Sequence, residues 1–237
     1  VKKLLIVNVG SAPERQLSQF GDFELWAEQA IGATKLKVDF HDGINQPLPD
    51  AKSLAGVIIM GSLSMVTEEL DWMKRLSQEV VHLAKQNVPT LGICFGHQLI
   101  CYAFGGKVGF NPNGLEVGTI NIQRLNASDN DPIFCHLPKI FSAQAVHYQS
   151  VLQLPDKSTR LAESSLDKHH AFRVGTSTWG VQFHPEFSQE IMLDTLDNFE
   201  DELGSDGVID KKSKVDATCN AQQVLVNFNQ YCIEQLN

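Results

Sequence analysis

Gly92-Ile93-Cys94-Phe95-Gly96 sets a cysteine between two glycines, where a short apolar run gives way to helical spacing. This G-x-C-x-G segment is the cysteine form of a nucleophile elbow. A tight strand-to-helix turn pushes one side chain out above a sheet edge, and the flanking glycines remove Cβ atoms that would clash there. The following helix points its positive end at the sulfur, which favours the thiolate. The N–H of Phe95, at the start of that helix, is suited to stabilise a developing oxyanion. A lone cysteine is more often a small buried apolar residue. Here the whole elbow stands in a matching context, which favours the nucleophile.

A thiol nucleophile needs a base, and the base needs an orienting group. Phe183-His184-Pro185-Glu186 offers both. Pro185 fixes its own φ and holds His184 extended, and residues two apart in an extended segment face the same side. Glu186 can therefore fix the tautomer of His184 while His184 takes the thiol proton. Alone, the segment reads as a surface turn; beside the elbow it reads as the rest of a triad.

Strands and helices must bring these segments together. Leu4–Gly10 reads as a buried strand, Phe20–Ile31 as a helix, Leu36–Phe40 as a second strand and Gly56–Gly61 as a third. Leu70–Gln86 is amphipathic, Pro89–Cys94 is a fourth strand, and Gly96–Phe104 is the elbow helix. Parallel strands need helical crossovers, so this half predicts an α/β fold with a mostly parallel sheet covered on both faces. Between Lys107 and Phe183 short alternating segments predict antiparallel or mixed strands: Gly118–Ile122, Lys139–Val146, Arg160–Glu163, Ala171–Val174 and Trp179–Phe183. Ser188–Leu203 reads as a helix, Gly204–Lys214 as a polar surface loop and Ala217–Leu236 as a closing helix. No repeat or linker interrupts residues 1–237, which predicts one domain.

Composition narrows the partners. The 28 acidic and 19 basic residues give a net charge of −9, which supplies no drive toward nucleic acid or anionic lipid. No apolar run nears the roughly 18 residues of a spanning helix, and Leu4–Val9 is too short for a signal peptide. The five cysteines are unevenly placed and form no CxxC, which argues against a disulfide framework and a structural zinc site. A reducing, cytoplasmic compartment is expected. Neither a GxGxxG nor a Walker A segment occurs, and no cofactor or metal is expected. His97 reads as a packed or capping residue, His169-His170 as a polar loop pair without metal-site spacing, and Cys101 as core. Trp26, Trp72 and Trp179 read as packing residues, and the acidic run from Asp194 to Glu202 as a solvated helix face.

The order Cys94, His184, Glu186, with GICFGHQ and QFHPEF intact, resembles the class I glutamine amidotransferases. Gly105-Gly106-Lys107-Val108, Glu116-Val117-Gly118 and Ala145-Val146-His147-Tyr148 are similar to the stand-alone, GMP-synthetase-like branch. The resemblance implies a flavodoxin-like open sheet with helices on both faces and a smaller antiparallel sheet. It implies catalysis by Cys94, His184 and Glu186, with the substrate acyl group carried as a thioester on Cys94. By position, Ser62 and Phe95 would be the oxyanion donors, in a loop reading Gly61-Ser62-Leu63 where the GMP-synthetase domain usually has Gly-Gly-Pro. Gln98, Tyr148 and Gln149 match substrate-binding positions.

One departure bears on the substrate. Where the GMP-synthetase domain carries His-Gly-Asp, this chain has His147-Tyr148-Gln149, so an amide replaces a carboxylate that could attract the substrate ammonium. Glu116 is a candidate substitute, although a strand-edge carboxylate is an equally good reading. Three functions follow from the resemblance. The first is a glutaminase that passes ammonia to a separate synthetase subunit. The second is a free-standing γ-glutamyl peptidase acting on glutathione-like compounds. The third, a silent binding protein of the same fold, is opposed by the intact Cys94, His184 and Glu186.

Overall fold

The computed structural model describes residues 2–236. The elements are β1 (Lys3–Asn8), α1 (Glu14–Phe20), α2 (Phe23–Ile31), β2 (Lys37–Asp42), β3 (Leu54–Ile59), α3 (Asp71–Lys85), β4 (Thr90–Ile93) and α4 (Phe95–Ala103). Then come β5 (Lys107–Phe110), β6 (Glu116–Arg124), β7 (Ile140–His147), β8 (Gln149–Gln153), β9 (Ser158–Glu163), β10 (Ala171–Val174) and β11 (Thr178–Val181). The chain closes with α5 (Gln189–Leu196), α6 (Glu200–Ser213) and α7 (Cys219–Glu234).

Among the described residues, nine strands form one sheet in the order β2-β1-β3-β4-β11-β10-β9-β6-β7. The part from β2 to β11 is parallel, and β10, β9, β6 and β7 extend it antiparallel. β5 and β8 pair as a separate small antiparallel sheet. The expected open sheet and smaller antiparallel sheet are both present.

Residue alternation explains why the central strands are apolar throughout. In β1, Leu4 and Ile6 pack into a core shared with Trp26 and Phe228, while Leu5 and Val7 pack against Leu76, Val80 and Leu99 on the other face. Both faces are covered by helices, so neither can be polar.

Several elements differ from the sequence expectation. The helix predicted over Phe20–Ile31 is two helices, because Gly21 takes φ 81° between them. The segment predicted as a loop over Gly204–Lys214 is mostly helical, in α6, with a break at Gly204. Val208 alone is buried on α6, so no apolar period announced it. Polar contacts hold it instead: Lys211 Nζ donates to the Val117 carbonyl at 2.9 Å, and Lys214 pairs with Asp210 at i, i+4. β5 and β8 are likewise unannounced by their sequences, and the helix expected over Ser188–Leu203 is α5, a 3-10 turn at Asp197–Phe199 and the start of α6.

Register sets the site. β4 is flanked by β3 and β11, with Ile59 and Gly180 both opposite Gly92. The carboxyl ends of these parallel strands therefore deliver the Gly61–Ser62 loop, Cys94 and the 182–186 segment to one edge, where open α/β sheets form their ligand crevices.

Candidate active site

Cys94 joins β4 to α4 with φ 49° and ψ −99°, a conformation uncommon for a residue bearing a side chain. The glycines permit this turn. A Cβ on Gly92 would lie 2.3 Å from the backbone of Gly96, and one on Gly96 would lie 2.3 Å from the Ile59 carbonyl oxygen. The elbow is fastened by Cys94 N–H donating to the Val181 carbonyl at 2.8 Å.

His184 lies beyond β11, tied to β7 by its N–H donating to the Gln144 carbonyl at 2.8 Å. Its Nδ1 is 2.8 Å from Glu186 Oε1, and its ring packs on Phe187 at 4.1 Å between centroids. Both side chains are buried, and His184 Nε2 has no hydrogen-bond partner among the described residues. Burial opposes a charge on this imidazole, but the neighbouring Glu186 and Cys94 outweigh it and raise it to about 10.

The Gly61–Ser62 loop closes over the pair. A Cβ on Gly61 would sit 3.2 Å from His184 Cε1 and 3.8 Å from Cys94 Cβ. Ser62 Oγ donates to the Val9 carbonyl at 2.7 Å and accepts from Ser64 N–H at 3.1 Å, so its side chain anchors the loop. The Ser62 side chain is thus engaged within the protein.

A cavity of about 280 Å³ opens beside Cys94. Ser62, Cys94, Phe95, Gln98, Tyr148, Gln149 and His184 all line it, while Glu186 stands behind His184. Gln98 Nε2 donates to the Gln149 carbonyl at 2.8 Å and to Gln182 Oε1 at 3.0 Å. That amide nitrogen is thus engaged within the protein. Gln149 Nε2 donates to Thr67 Oγ1 at 2.8 Å, and Tyr148 OH donates to Glu202 at 2.6 Å.

Two features escaped the sequence reading. Gln182 Nε2 donates to Cys94 Sγ at 3.4 Å. Its signal was present, because Gln182, His184 and Glu186 are spaced two apart on extended chain. The second is a buried cluster. His147 Nε2 and His170 Nε2 lie 2.9 and 2.7 Å from Glu116 Oε2, and Ser164 donates to Oε1 at 2.7 Å. His170 does lie in a loop, just before β10, but it is fully buried there, and Glu116 is not free to attract a substrate ammonium. Burial opposes the Glu116 charge, yet the two imidazoles hold this carboxyl well below the usual range. The three side chains offer metal-ligating atoms within 4.8 Å of one another, but they already bond to each other at hydrogen-bond lengths.

The remaining candidates behave as packing residues. His97 packs at a tilt against Phe172, 4.8 Å between ring centroids, and burial lowers it to about 3. Cys101 is fully buried, and burial pushes its thiol up to about 12.

Fold and site define a class. Residues 24–200 match the family model described as glutamine amidotransferase class-I, and the chain belongs to that family. It is similar to gamma-glutamyl peptidase 5 of Arabidopsis thaliana, 32% identical over 159 residues, which cover 65% of this chain and 63% of that protein. The chain thus spans less than two thirds of the length of that peptidase. It is also similar to a glutamine-hydrolyzing GMP synthase subunit of Archaeoglobus fulgidus, 32% identical over 141 residues, 59% of this chain and 70% of that one. The fold matches the crystal structure of a glutamine amidotransferase from Thermotoga maritima with TM-score 0.72 at 20% identity, covering 99% of this chain and 97% of the other. Among the described residues no helix is long and apolar enough to cross a membrane.

Proposed function

We propose that this chain hydrolyses a glutamine-type side-chain amide through a thioester on Cys94. The observation that carries this is the meeting of Cys94 and His184 at one cavity, with Glu186 behind them 2.8 Å from His184 Nδ1 and with Nε2 unpaired among the described residues. Cys94 Sγ attacks the amide carbon, and the oxyanion forms on the Ser62 and Phe95 N–H groups. His184 gives its proton to the leaving nitrogen as the C–N bond breaks, releasing ammonia. Water then attacks the thioester carbon, His184 takes its proton, the C–S bond breaks, and a carboxylate is released. Each oxyanion donor contributes about 10²–10³ in rate.

The ammonia would pass to a separate synthetase subunit. This reading is supported by the similarity to the GMP synthase subunit of Archaeoglobus fulgidus. A γ-glutamyl peptidase is the second reading, supported by the similarity to gamma-glutamyl peptidase 5. All five cysteines are unpaired, which supports a reducing, cytoplasmic setting. The test is glutamate release from glutamine and from glutathione in parallel, with Cys94→Ala as the blank. Cys94-dependent turnover of either supports the hydrolase, and the preferred substrate selects between the two readings. Turnover that survives Cys94→Ala overturns it.

A further inference from the structure

The cavity beside Cys94 is unusual in what its wall lacks. Among the described residues, no Asp, Glu, Lys or Arg lines it. Three carboxylates bond to side chains of the wall and are engaged there, Glu202 from the exposed surface of α6. Glu186 is on His184 Nδ1, Glu116 is on His147 and His170, and Glu202 is on the Tyr148 hydroxyl. The wall is largely aromatic and aliphatic, with Phe23, Phe95, Phe187 and Phe199 inside and Leu63 left 69% exposed. One buried acceptor points to a ligand. Gln149 lines the cavity, is only 3% exposed, and its Oε1 has no hydrogen-bond partner among the described residues.

A free amino acid presents an ammonium. Removing an ammonium from water without a carboxylate partner is costly. His184, whose imidazole is raised to about 10 and so is charged at neutral pH, makes the same wall less hospitable to a second cation. A neutral amide N–H has no such requirement. It needs a single acceptor, which Gln149 Oε1 supplies, and an acyl group beyond it would lie against apolar wall.

We infer that the acyl donor for this site is a γ-carboxamide whose α-nitrogen is acylated and uncharged, an N-acylglutamine, in preference to free glutamine. The inference rests on the assignment of Cys94, His184 and Glu186 to this cavity and names the substrate class they serve. Gln149 is its specificity-determining residue.

Binding tests it apart from turnover. Calorimetric titration of the Cys94→Ala chain with Nα-acetylglutamine and with glutamine should show the acetylated ligand bound at least tenfold tighter, about 1.4 kcal/mol. In the same background Gln149→Asp should move the ratio toward glutamine tenfold or more, and Gln149→Leu should weaken the acetylated ligand. Equal or tighter binding of glutamine, or no binding of the acetylated ligand at millimolar concentration, overturns the inference. If the Gln149 variants fail to fold, the ratio in the Cys94→Ala chain decides alone. The catalytic reading fails separately. Retained preference in binding with no Cys94-dependent hydrolysis would sink the thioester mechanism and leave the pocket chemistry standing. Cys94-dependent hydrolysis with glutamine bound tighter would do the reverse.

Discussion

Gln182 donates an amide N–H to Cys94 Sγ at 3.4 Å while its own carbonyl oxygen accepts from Gln98 Nε2 at 3.0 Å. The sulfur therefore ends a short chain of amides that runs back to the Gln149 carbonyl, which also accepts from Gln98. An N–H aimed at sulfur stabilises the thiolate more than the thiol, because the acceptor is then charged.

Gln182→Leu should slow alkylation of Cys94 by iodoacetamide at neutral pH by about tenfold, since a hydrogen bond to a charged group contributes about 1.5–3 kcal/mol. Mass mapping of the alkylated protein reads this directly. Labelling of Cys94 at an unchanged rate would show that the amide does not act on the sulfur.

His184 titrates at about 10 in the folded chain against 6.5 ordinarily, with burial opposing the charge and Glu186 and Cys94 outweighing it. Its contribution to stability is whole below pH about 6.5 and is lost as the pH rises through about 10. The melting temperature should therefore fall between neutral pH and pH 10, and His184→Asn should flatten that part of the profile. In activity, His184→Asn should lose most of the rate and Glu186→Gln less, because an orienting group contributes less than the base. Parallel pH profiles for the wild type and His184→Asn would show that the imidazole is not the titrating group.

How much of this was legible beforehand follows from which signals are local. Cys94 and its glycines announce themselves because the turn constrains residues adjacent in sequence. His184 and Glu186 are visible because Pro185 fixes the chain between them. Glu116, His147 and His170 were not, because no spacing rule links three residues brought together from β6, the end of β7 and the loop before β10. α6 was hidden for another reason. Its helix is held by side-chain contacts to Val117 and along its own surface, and only Val208 is buried, so hydrophobic period carried no information.

Glu116→Gln should destabilise the fold by about 3–5 kcal/mol, the cost of removing one partner from a buried charged group. It should also raise KM more than it lowers kcat. His147 Nδ1 lies 3.0 Å from the Gln149 carbonyl, so the cluster positions the segment carrying Gln149 rather than the reacting atoms. Because the Glu116 carboxyl titrates low in the fold, its contribution is present at neutral pH and is lost on acidification. Thermal melts at neutral and acid pH, with steady-state kinetics at a permissive temperature, check both parts; an unchanged melting temperature would mean the charge is not structural.

Gly96→Ala should abolish activity and destabilise the chain by more than the ~1–3 kcal/mol of ordinary overpacking. The added Cβ would meet the Ile59 carbonyl oxygen at 2.3 Å, and that atom is backbone of β3, unable to turn aside like a side chain. Relief requires α4 to move away from the sheet, which carries the Phe95 N–H and Cys94 Sγ out of register with Ser62. Gly92→Ala meets the Gly96 backbone at the same separation and should fail alike, although its own φ needs no glycine. A soluble, thermally unchanged Gly96→Ala protein with wild-type alkylation of Cys94 would mean the elbow tolerates a wider turn than its packing implies.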